Sequence, residues 1–193
     1  MKYFKIFGLI AAAVAALMVF VGTASATTVT APAGSAYTGS IRLLSEGHVA
    51  IDNPIAAISC NSEIEVSNIE SHGAGVTAKG PLSWFSFFNC TNSWEVTVLS
   101  AGSLEFHSTG GGNATVTSSG ATLVATRLGI TCRYATSNTD IGTVTGAATF
   151  TSHATLDISA AIPFHSGSGL CGSGSTTWTG AYKVLNPTGL TFS

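Results

Sequence analysis

After residue 26 this chain shows one kind of periodicity, and its period is two. Across residues 63–69, Ile64 and Val66 fall on one side while Glu63, Glu65 and Ser67 fall on the other. Residues 94–99 (WEVTVL) alternate in the same way; Leu104 and Phe106 oppose Glu105 and His107, and Leu156 and Ile158 oppose Asp157. Side chains that alternate between two faces mark half-buried strands. No window places apolar residues at i, i+3, i+4 and i+7 among helix formers and caps. The strands are rich in β-branched Thr and Val and are cut by turn signals such as Glu46-Gly47, Asp52-Asn53-Pro54 and Gly80-Pro81. The spacing predicts an all-β fold: an antiparallel sandwich or barrel of many short strands.

Taken along the chain, an edge strand is expected before Pro32, then strands over 37–45, 48–51, 55–60 and 63–69. Residues 76–79 and 82–88 read as two strands broken at Gly80-Pro81, and 94–99 as the next. Residues 114–117 and 121–126 read as a hairpin over Ser118-Ser119-Gly120. Strands over 130–134, 143–151, 154–162, 177–185 and 190–192 complete the set, with a polar turn at 137–140. Gly110-Gly111-Gly112 is the best hinge or half boundary.

The first 26 residues stand apart. Lys2 and Lys5 are followed by an apolar run over 6–21 and by Ala24-Ser25-Ala26, the three parts of a cleaved secretory leader. A retained anchor is the alternative, since the run approaches bilayer-spanning length. No later stretch is apolar enough to span a membrane, so residues 27–193 are expected as a single secreted β-domain. Five of the seven Lys and Arg remain there against nine Asp and Glu, with no basic patch, which argues against nucleic acid as a partner. Charged residues make up only 8% of the chain, so its surface must hydrate largely through Ser, Thr, Asn and Gly.

Cys60, Cys90, Cys132 and Cys171 all follow the leader. An even count in an oxidising compartment predicts two disulfides rather than four free thiols, and three connectivities are open. An internal echo favours Cys60–Cys90 with Cys132–Cys171. Ile58-Ser59-Cys60 resembles Ile130-Thr131-Cys132, and each is followed by a second Cys and then a Trp, at Trp94 and Trp178. The same echo raises the alternative of two related halves meeting near 109–113. The second bridge would tie down residues 167–175 (GSGLCGSGS), which otherwise have nothing to hold them.

Residues suited to chemistry are scattered. His48, His72, His107, His153 and His165 read as loop or surface histidines, and no metal-ligand spacing, nucleophile elbow or phosphate loop occurs. Glu63 and Glu65 share one solvated face rather than facing each other across a cleft. Asn138, Asp140 and Gly142 stop short of a calcium loop, and the Thr-x-Thr pairs are too irregular for a flat hydroxyl array. No catalytic residue, cofactor or metal is expected. The one candidate binding cluster is aromatic: Trp84, Phe85, Phe87, Phe88 and Trp94. Consecutive aromatics on a strand must point to both faces, so they are either core on both faces or partly exposed for a ligand.

The stretches GITCRYATSNTDIGTVTG and FHSGSGLCGSGSTTWTGAYKVLNPTGL resemble a family of secreted, uncharacterised bacterial proteins, some labelled as related to a protein activator of alkane oxidation. The resemblance runs from Ile58-Ser59-Cys60-Asn61-Ser62 to the end. It implies an exported β-rich protein with no known active site, so no functional residue carries over; the alkane label implies a role at hydrocarbon or other apolar interfaces. The expected function is that of a secreted, non-enzymatic structural or adhesive β-protein, cell-surface or extracellular, with cell-envelope components as partners. The alternative is a binding module for apolar interfaces or glycans. The sequence leaves oligomeric state open.

Overall fold

A computed structural model describes residues 27–31, 34–53, 55–70 and 77–193. The expected leader over 1–26, the turn residues Pro32 and Pro54, and His72 lie outside the described residues. The strands are β1 (Val29–Ala31), β2 (Ser35–Ala36), β3 (Ile41–Ser45), β4 (Val49–Asn53), β5 (Ala56–Val66), β6 (Ala78–Phe88), β7 (Glu95–Ser100), β8 (Ser103–Gly110), β9 (Asn113–Ser119), β10 (Thr122–Arg127), β11 (Ile130–Ala135), β12 (Thr139–Thr145), β13 (Thr155–Ile162), β14 (Phe164–Gly167), β15 (Thr176–Asn186) and β16 (Thr191–Phe192). Short 3-10 turns lie at Thr91–Ser93 and Gly169–Cys171.

The fold is all-β, and it is a barrel at one end and two sheets at the other. Strands β13, β12, β9, β8, β6, β5, β3 and β15 pair in that order, and β15 pairs back onto β13 from Ile162↔Thr176 to Thr155↔Lys183. This closes an eight-stranded antiparallel barrel. Strands β3 and β4 follow one another in the slot between β5 and β15, interrupted at residues 46–48.

Four barrel strands then turn a corner into a second sheet. β8 is preceded by β7, β9 is followed by β10, β11 leads into β12, and β13 runs through Pro163 into β14. The outer pieces form their own sheet in the order β14-β11-β10-β7. Backbone bonds stitch the corner, including Leu82 N–H to Gly102 O, Gly120 N–H to Thr136 O and Ala135 N–H to Pro163 O. Gly102 has φ 74, and a Cβ there would lie 2.3 Å from Ser119 O. Only glycine meets both demands.

Several expected boundaries move for this reason. β9 and β10 are not a hairpin: β9 pairs with β8 and β12, and β10 with β7 and β11. β11 and β12 do not pair across the turn at 136–138 either. Gly80-Pro81 does not break β6, because Pro81 sits where β6 exchanges β8 for β5 and the register shifts. The strand expected over 143–151 ends at Thr145, and Gly110–Gly112 is the turn of the β8–β9 hairpin in the barrel wall.

One continuous core fills both parts, from Ile41, Leu43, Leu104, Val116 and Leu156 in the barrel to Val96, Leu123, Cys132 and Tyr134 in the second sheet. β16, β1 and β2 form a small sheet against the far end of the barrel, where Phe192 stacks on Phe106 at 5.2 Å. The disulfides are Cys60–Cys90 and Cys132–Cys171, the pairing that the internal echo favours.

Candidate functional site

The aromatic cluster lies where barrel and second sheet part. β8 reaches residues 78–81 of β6, and among the described residues β6 continues beyond it paired with β5 alone. β7 bends away and, among the described residues, pairs only with β10. The two strands therefore diverge from the Leu82–Gly102 bond and rejoin through residues 89–94. Between them is an open cleft of about 540 Å³, lined by Trp84–Phe88 from one strand and Trp94–Val98 from the other.

Period two sorts the five aromatics. Phe85 is buried and Phe87 half-buried, and both pack on Trp178, with ring centroids 5.5 and 6.0 Å away. Trp94 is buried in the opposite wall, with its indole Nε1 enclosed and unpartnered. Trp84, at 56% exposure, and Phe88 face outward. Trp84 Nε1 donates to Ser86 Oγ at 3.1 Å, which fixes the plane of the exposed ring. The cluster is thus divided between core and rim. Glu95 is the cleft's one titratable side chain, since Cys90 is in its disulfide.

Behind the cleft lies a buried polar group. Trp178 meets Tyr182 edge-on at 6.2 Å, and the Tyr182 hydroxyl sits beside Ser62 and Trp178. Burial pushes that hydroxyl well above its usual pKa, and those two neighbours only partly offset the rise. None of the three polar atoms completes a hydrogen bond of ordinary geometry.

The other candidates stay apart. His48 and His165 are exposed, His107 Nε2 is 3.4 Å from Thr117 Oγ1, and His153 Nδ1 donates to Val184 O at 2.6 Å. Glu63 pairs with Arg42 on the outer wall. Asn138 is a turn residue with φ 51. Among the described residues no three His, Cys, Asp or Glu side chains converge on one point.

The sequence reading missed a second feature, at the tip of the two-sheet end. Four connections meet there: β4–β5, β6–β7, β10–β11 and β14–β15. Thr176 Oγ1 bonds Asp52 O, Ser59 N–H bonds Thr91 Oγ1, and Cys132–Cys171 holds the Gly169–Cys171 turn beside β11. Three of these loops carry a large aliphatic side chain in water: Ile55 at 38% exposure, Leu170 at 62% and Leu128 at 91%. Leu128 and Gly129 form a two-residue turn between the paired Arg127 and Ile130, with φ 48 and 81. That is the type I′ pattern, which favours Asn-Gly. Elsewhere among the described residues the non-glycine residues at positive φ are Asn68, Asn89, Asn92, Asn138 and Ser93, all small and polar. Leucine here carries backbone strain of roughly 1–2 kcal/mol and buries almost nothing. The available sequence signal was a Leu-Gly pair between two β-alternating runs.

No family model, curated protein or solved structure matches this chain. No helix among the described residues is long and apolar enough to cross a membrane.

Proposed function

We propose that this is an exported, non-enzymatic adhesive β-module that docks on apolar interfaces through its two-sheet tip. The observation that carries the reading is Leu128, strained and 91% exposed in the β10–β11 turn. A costly conformation that does nothing for the core points to a role outside the fold. Leu170 and Ile55 on neighbouring loops widen the apolar contact, and two disulfides brace the loops that flank it. The leader and even cysteine count support export, and a cleft with one carboxylate offers no acid–base pair for hydrolysis. The resemblance to proteins with an alkane label agrees with this choice of interface.

The test is adsorption to hexadecane droplets, wild type against Leu128→Asn. Burying one leucine in an apolar phase is worth about 1.5–3 kcal/mol, so the variant should bind roughly 10- to 150-fold more weakly. Equal adsorption of folded wild type and variant would contradict the proposal.

A further inference from the structure

The cleft between β6 and β7 has a property separate from the apolar tip: its two walls are strand edges. In an antiparallel ladder, alternate residues bond one neighbour and direct N–H and C=O to the other side. Among the described residues, β6 from Trp84 to Phe88 has a strand partner only in β5, and β7 from Glu95 to Val98 only in β10. Beyond the Leu82–Gly102 bond, no backbone bond among the described residues joins the two strands across the cleft. Neither edge is blunted by proline or lysine, the usual protections of an open edge. The connection through residues 89–94 joins the two strands, with Asn89, Asn92 and Ser93 at positive φ and Cys90 tied to Cys60.

Two facing edges call for an occupant with donors and acceptors on both sides, repeating at the strand spacing. A hydrocarbon has none, and a sugar chain presents hydroxyls without that repeat. An extended polypeptide has both. We propose that this seam accepts a strand from another polypeptide, lying antiparallel to one wall and parallel to the other. The stretch from Trp84 to Phe88 matches about five extended residues, about 17 Å. Alternate guest side chains would meet Phe85, Phe87, Val96 and Val98 on the inner side, and the rest would pass Trp84, Phe88 and Thr97. The favoured guest is therefore uncharged, with apolar residues at every second position.

The experiment uses the exported chain with both disulfides intact. A phage library of random dodecapeptides is selected on it, and the enriched peptides are resynthesised with N-methyl groups at alternate backbone positions. The expected result is enrichment of sequences with apolar residues at period two. N-methylation in either phase should weaken binding by about tenfold or more, because alternate N–H groups reach opposite walls and each phase removes two or so hydrogen bonds. Bound peptide should also slow amide exchange at alternate residues of 83–88 and 95–98. Three results would overturn the proposal: no peptide is enriched, N-methylation in either phase is harmless, or soluble oligosaccharides protect these amides and no peptide does. None of these depends on adsorption to droplets, so this proposal and the apolar-tip reading can fail separately.

Discussion

Leu128 is the residue where the fold and the proposed function pull in opposite directions. Replacing it with Asn removes a side chain that disfavours φ 48 and installs one that tolerates it. Leu128→Asn should therefore raise unfolding free energy by about 1 kcal/mol, read from urea midpoints at unchanged slope. A neutral or destabilising result would show that the turn holds no strain. Gly102 is the converse case. Gly102→Ala would bring a Cβ against Ser119 O and hold alanine at φ 74, and should destabilise by about 2 kcal/mol or more. Tyr182 gives a pH dependence. Its folded pKa lies above the ordinary value of 10.0, so the native state holds its proton more tightly than the unfolded chain. That contribution is complete below about pH 10 and is lost as pH rises beyond it. Tyr182→Phe should flatten the fall in stability between about pH 10 and 11. At neutral pH it should cost little, because the hydroxyl completes no ordinary hydrogen bond.

At the scale of elements, pairing and corners differ in how much the residues reveal. The cysteine pairing was legible because each partner sits at a matching place in a repeated strand-Cys-Trp order. The corners were not. Gly120-Ala121 between β9 and β10 has the composition of a hairpin turn, and only the strands across the way decide whether the chain folds back or passes on. The same is true of residues 136–138 between β11 and β12. Period two correctly sent the aromatics of β6 to both faces, but burial of Phe85 and Trp94 needs the second sheet, which no local pattern announces. The Cys132–Cys171 bridge is the element with the clearest energetic consequence. It spans 39 residues and fixes the turn that carries Leu170. Replacing both cysteines by alanine should lower stability by about 4 kcal/mol on the chain-entropy model. It should also open residues 167–175 to limited proteolysis, with the barrel intact.

Across the whole molecule, the two ends divide the work. At the barrel end the β13–β15 ladder closes the wall. At the other end the strands part into two sheets, leaving a seam with two free edges and a tip with three exposed aliphatic side chains. A stable ring that supports an open end is the layout expected of a binding protein whose scaffold is rigid and whose loops carry function. The most direct measurement of that division is amide exchange on protein adsorbed to hexadecane droplets, compared with the same protein in solution. Docking through the tip predicts added protection at residue 55 and over 89–94, 127–130 and 168–172, with the barrel strands unchanged. Protection centred on the far end, around 146–153 and 186–190, or a general loss of protection as the chain unfolds on the droplet, would contradict it.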